Sequence, residues 1–176
     1  MKRHLSTAVL LSGLLPVVAQ TSNDSLQDIV LDEASVIATR ATSTTPIAFT
    51  NISREQLSRT NHGQDIPFLV SMTPSVVSTS DAGAGIGYTS LRVRGVDATR
   101  INVTANGIPV NDAESHTVFW VNMPDLASSV KDIQLQRGVG TSTNGAGAFG
   151  ASMNLQTADF ARLPYAEVSL SGGSFR

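Results

Sequence analysis

The chain has 176 residues, 41% of them hydrophobic, with 14 glycines, no cysteine and a formal charge of −2. Without cysteine there can be no disulfide, thiolate metal site or cysteine nucleophile. With no run of Lys and Arg, phosphate neutralisation is unsupported and nucleic acid is disfavoured as a partner.

Lys2, Arg3 and His4 precede an apolar stretch from Leu5 to Leu15, and Val17-Val18-Ala19 offers modest side chains for cleavage near Ala19-Gln20, the pattern of an export signal over residues 1–19. The stretch falls short of the roughly 18 to 20 residues of a membrane-spanning helix, and Pro16 interrupts it. Removal of the signal leaves 10 basic against 14 acidic residues. Residues 20–48 then read as a flexible arm rich in Ser, Thr, Asp and Ala. Within it LQDIVLDEASVIATR is β-prone. It is either a strand that adds to a partner's sheet edge or an N-terminal strand of the domain itself.

A compact unit is expected over 49–160. Ser53 and Gln56 have capping-box spacing for a short helix from Arg54 to Arg59. Asp65 is placed to cap a second helix through Phe68 and Leu69 that ends at Thr73-Pro74. Val76 and Val77 lead into a glycine-rich loop, Asp81 to Gly87. In the strand LRVRG at 91–95, Arg92 and Arg94 share the face opposite Leu91 and Val93. Asn106-Gly107 predicts a two-residue type I′ turn that pairs Ala105 with Ile108 and Val103 with Val110, and it puts Pro109 on an edge. Pro124 suits the first turn of a helix to about Val130. Strands follow at IQLQRG and ASMNLQT, and the whole reads as a small α+β domain. The last segment, 161–176, alternates apolar and polar residues, as a barrel strand or an ordinary half-buried edge strand would. That ending gives reason to suspect a fragment.

Candidate chemistry is sparse. Gly145, Gly147 and Gly150 satisfy G-x-G-x-x-G, yet a strand-like segment follows where a dinucleotide site needs a helix. His62 and His116 lack metal-ligand spacing, and Asp112, Glu114, Ser115 and His116 lie in one loop, where acid, base and nucleophile seldom converge. No enzyme activity, cofactor or metal is expected. Phe119 and Trp120, beside His116, suit either ligand stacking or core packing.

LDEASVIATR, TPSV, LRVRG, NGIPVND, IQLQRG and GAGAFGASMNLQT, taken in order, resemble the plug domain of TonB-dependent outer-membrane receptors. The resemblance implies a mixed-sheet plug with short helices inside a β-barrel of about 22 strands, the barrel beginning within 161–176. It implies that Asp32, Glu33, Ala34, Ser35, Val36, Ile37, Ala38 and Thr39 form a TonB box that pairs with TonB, although Ala34-Ser35 stands where many boxes carry bulkier residues. Arg94 and Arg137 would meet glutamates on the barrel wall. A regular strand puts Arg137 on the side of Ile133 and Leu135, so a twist or bulge is expected to aim it at the wall. Loops bearing Asp81 and Tyr88, Asp97 and Arg100, and His116, Phe119 and Trp120 would contact substrate. The function implied is active uptake of a scarce substrate, by default a ferric siderophore, across the outer membrane of a Gram-negative bacterium. The alternative is a barrel-less periplasmic binding or signalling module.

Overall fold

A computed structural model describes residues 40–140, 144, 145, 147–160, 163–166, 168 and 170. The export signal and the segment from Asp32 to Thr39 lie outside the described residues.

Among the described residues seven strands and three short α-helices occur in the order β1 (Ala48–Ser53), α1 (Arg54–Thr60), α2 (Ile66–Leu69), β2 (Val76–Ser80), β3 (Thr89–Val93), β4 (Ile101–Ala105), β5 (Ile108–Pro109), α3 (Leu126–Ser129), β6 (Val130–Arg137) and β7 (Ala151–Thr157). The main sheet runs β1-β6-β7-β4-β5, and β2 and β3 form a separate hairpin. All pairings are antiparallel except β4 with β7. The expected α+β class with a mixed sheet is therefore observed.

Strand alternation gives the main sheet two unlike faces. Ile133 and Leu135 stand on one face with Met153, Leu155, Ile101 and Val103, their register partners or neighbours. This face forms a core with Leu57 of α1, Ile66 of α2, Val70, Leu91, Val93 and Trp120, all nearly solvent-free. Each such large apolar side chain contributes about 1.5–3 kcal/mol by leaving water. The other face carries Gln134, Gln136, Ser152, Asn154 and Thr104, which are buried yet polar.

Local signals explain several elements. Ser53 Oγ accepts from the Gln56 amide at 3.4 Å, and Gln56 Oε1 accepts from the Ser53 amide at 2.9 Å, completing the box that starts α1. The Asn106-Gly107 turn has φ of 50° and 82°, and it pairs Ala105 with Ile108 while the Val110 amide donates to the Val103 carbonyl. Pro109 lies on the edge strand, where its missing N–H costs no ladder bond.

Other expectations are corrected. Strand β1 was not foreseen, and the arm is fixed to the sheet from Arg40 onward rather than free to residue 48. Asp65 takes the N-cap position of α2 as expected, but its side chain makes no cap bond, and its carboxylate accepts from Thr89 Oγ1 at 2.8 Å instead. Pro124 stands outside α3, which Asp125 precedes in a left-handed conformation with φ 52°. Arg94 does not continue β3: with φ 53° it leaves the strand, so it does not share a regular face with Arg92. The irregularity in β6 falls between Val130 and Asp132, and pairing is regular from Asp132 to Arg137. Arg137 thus stays on the side of Ile133 and Leu135, at the last position of the strand. The described residues within 161–176 form no strand, since an extended segment needs a ladder partner.

Candidate functional site

The two ends of the main sheet differ in what they carry. At the proximal end Ser53, Asp132 and Gln156 lie side by side in register. The chain enters there through Arg40, whose guanidinium donates to Gln156 Oε1 at 2.8 Å and pairs with Asp132. It also leaves there, where the Ala158 amide donates to the Ser129 carbonyl at 2.8 Å and Lys131 Nζ to Asp159 at 2.6 Å.

At the distal end Ala48, Arg137, Ala151 and Ile101 are aligned. Thr99, Arg100, Ile101, Asn102, Asn111, His116 and Gly147 line a cleft of about 600 Å³ there. Asn111 positions its rim: Oδ1 accepts from the Val103 amide at 2.8 Å, and Nδ2 donates to the carbonyls of Ile101 at 2.9 Å and His116 at 3.0 Å. One side chain thereby ties the loop after β5 to the start of β4. Asp112 orders the rest of that loop by accepting from the Ser115 amide at 2.7 Å, Ser115 Oγ at 2.9 Å and the Glu114 amide at 3.1 Å. The Ser115 amide, then its hydroxyl, hold the Asp112 carboxyl below its ordinary value of 3.8. His116 closes the turn at φ 57° and is exposed.

The loop residues proposed from sequence do not form one site. Arg100 and His116 both line the cleft. Asp97 caps the 3₁₀ turn 98–100 by accepting from the Thr99 amide at 3.1 Å, and its 3.8 Å approach to Arg92 is solvent-exposed and worth little. Asp81 and Tyr88 belong to the β2–β3 turn, where the Asp81 amide donates to the Tyr88 carbonyl, and they do not line this cleft. Phe119 is 46% exposed, whereas Trp120 is 4% exposed and packs in the core, so the ligand-stacking option is removed for Trp120. Thr99 and Asn111 fall within the loops Asp97 to Arg100 and Asn111 to Trp120 named from sequence, but the organising role of Asn111 and the lining residues Asn102 and Gly147 were missed; the Asn-Asp pair ending NGIPVND was the available signal.

Arg94 and Arg137 lie together at the distal end. The Arg94 amide donates to the Ser75 carbonyl at 2.8 Å, while Arg137 donates to the carbonyls of Pro74 at 3.2 Å and Phe49 at 3.4 Å. Gly138 has φ 96°, which favours glycine, and a Cβ there would stand 2.9 Å from Arg94 Nη1, so the guanidinium would have to shift. Among the described residues neither arginine has an acidic partner, and no group of acidic or histidine side chains suits a metal ion.

The family model of the TonB-dependent receptor plug domain matches residues 41–152. The chain belongs to this family. Solved structures agree on the fold. The siderophore receptor PirA from Acinetobacter baumannii is similar over 64% of this chain and 17% of its own, with 24% identity and a TM-score of 0.51. A variant of the ferric enterobactin receptor PfeA from Pseudomonas aeruginosa, in complex with enterobactin, is similar over 70% of this chain and 18% of its own, with 20% identity and a TM-score of 0.51. The chain therefore spans under a fifth of the receptors whose plug fold it shares. No match emerges among curated protein sequences. No described helix is long and apolar enough to cross a membrane.

Proposed function

We propose that this plug belongs to an outer-membrane receptor of a Gram-negative bacterium that imports a scarce substrate of the ferric siderophore type, driven by TonB. The observation that carries the reading is the placement of the two ends of the sheet. The chain segment that follows the TonB-box-like residues enters at the proximal end, and the cleft with Arg100 and His116 opens at the distal end. In a plug seated across a membrane, one end then faces a puller in the periplasm and the other a ligand outside.

On this reading Arg94 and Arg137 meet acids of the surrounding barrel, which fits two cations held in place without a counter-charge among the described residues. Arg100 supplies a permanent positive charge for an anionic chelate, with His116 and the half-exposed Phe119 at the rim. The loop with Asp81 and Tyr88 makes a second, separate contact. The siderophore class is supported by the similarity of this plug to those of the siderophore receptor PirA and the ferric enterobactin receptor PfeA. The reading assigns the protein no bond-making chemistry and no resident cofactor.

Uptake of radiolabelled ferric siderophores by cells carrying the full-length receptor tests it. Accumulation that needs both the receptor and functional TonB is expected. Binding or uptake of no ferric chelate, with TonB-dependent accumulation of some other nutrient instead, would overturn the cargo.

A further inference from the structure

The chain enters the domain over a polar surface and is held there by side chains. Gln134, 2% exposed, is saturated: Oε1 accepts from the Ala41 amide at 2.7 Å and from Gln136 Nε2 at 2.9 Å, while Nε2 donates to the Ala41 carbonyl at 2.9 Å and to Asn51 Oδ1 at 2.8 Å. The side-chain amide thus engages both backbone groups of Ala41, as a strand neighbour would. Arg40 adds two bonds beside it, to Gln156 and Asp132. Asp132 and Gln134 lie on β6 and Gln156 on β7. None of the three belongs to β1, the strand that the same stretch of chain goes on to form.

We propose that Arg40 and Ala41, gripped by Asp132, Gln134 and Gln156, form a releasable latch that decides whether the chain preceding them can be drawn away from the plug. The assignment of what draws it rests on the function proposed above. Thr39 directly precedes Arg40, so tension on the TonB-box-like segment reaches the latch before it reaches β1. The load then passes first to β6 and β7, two interior strands of the sheet.

The chemistry favours opening without collapse. The latch is made of polar contacts that water can replace, so its net cost of opening is small compared with exposing a core. The apolar residues Ile133, Leu135, Met153 and Leu155 face the other way and stay covered. Opening is therefore a local event, distinct from unfolding of the domain. Release of residues 40–47 would lengthen the free arm by about 25 Å when extended.

The test uses the full-length receptor in outer-membrane vesicles with Ala41→Cys as its sole cysteine, a position 5% exposed. Maleimide labelling is followed with and without the TonB C-terminal domain. Arg40→Gln and Gln134→Leu are expected to raise the labelling rate by about tenfold, the effect of removing a buried hydrogen-bonding group on a local opening. Ala127→Cys, 4% exposed in the core, should stay protected in the same variants. If Gln134→Leu exposes Ala127→Cys as well, Asp132→Asn decides, because it removes the charge and keeps the shape: faster labelling at position 41 alone supports the latch. Labelling at position 41 that none of these variants changes, with normal TonB capture, overturns the latch and leaves the receptor reading standing. Failure of the unsubstituted receptor to bind TonB overturns the receptor reading, while labelling that still responds to Gln134→Leu would keep the latch.

Discussion

Arg94 and Arg137 are tied to adjacent carbonyls of one turn, the Arg94 amide to Ser75 at 2.8 Å and the Arg137 guanidinium to Pro74 at 3.2 Å. Two strands from different parts of the chain therefore deliver like charges to one place, where self-repulsion favours an acid from outside. Replacing both by glutamine in the full-length receptor should lower uptake about tenfold, in the range expected for lost charge-assisted hydrogen bonds. Replacing both by lysine should retain part of it. Equal loss in the two double variants would show that shape rather than charge matters there.

Gly138 supports that pair by its lack of a side chain. At φ 96°, with Arg94 Nη1 2.9 Å from the place of a Cβ, Gly138→Ala should destabilise the plug by about 1–3 kcal/mol. Adding Arg94→Ala removes the contact but not the backbone strain, so only partial recovery is expected. Hydrogen exchange of the β6 amides measures both.

The capping box and the core should separate clearly in helix α1. Ser53→Ala loses one bond of the box and should cost about 1 kcal/mol. Leu57→Ala, 2% exposed in the core, should cost about 2–5 kcal/mol. Denaturant or exchange measurements that gave equal costs would contradict the burial of Leu57.

Asp112 predicts the pH behaviour of the cleft rim. Its carboxyl titrates below 3.8 because the Ser115 amide and hydroxyl favour the charged form. A lowered folded value means that the carboxylate-held turn is fully supported above 3.8 and is lost as pH falls through the lowered value. The Ser115 amide resonance, followed by NMR, should therefore move only at strongly acid pH, and Asp112→Asn should abolish that step.

What could be foreseen from sequence was local. Asn106-Gly107 and Ser53 with Gln56 act within four residues, so both the hairpin register and the start of α1 were readable. Strand β1 was not, because AFTNIS has a weak pattern and gains its identity from β6, about 80 residues away. Asp65 looked like a helix cap until Thr89, distant in sequence, claimed its carboxylate. Arg94 looked like a strand residue because left-handed backbone at a non-glycine position is rare. In the site, Arg100 and His116 were named but their place in one cleft was not, since it depends on the bonds by which Asn111 ties the His116 loop to β4.

The central claim, a plug pulled from its arm by TonB, is met most directly by capture of the full-length receptor on immobilised TonB C-terminal domain. The native arm should be retained, and an arm with Val36→Pro and Ile37→Pro should be lost, because proline removes the N–H groups that strand addition requires. Equal retention of the two, or retention of neither, would contradict the account.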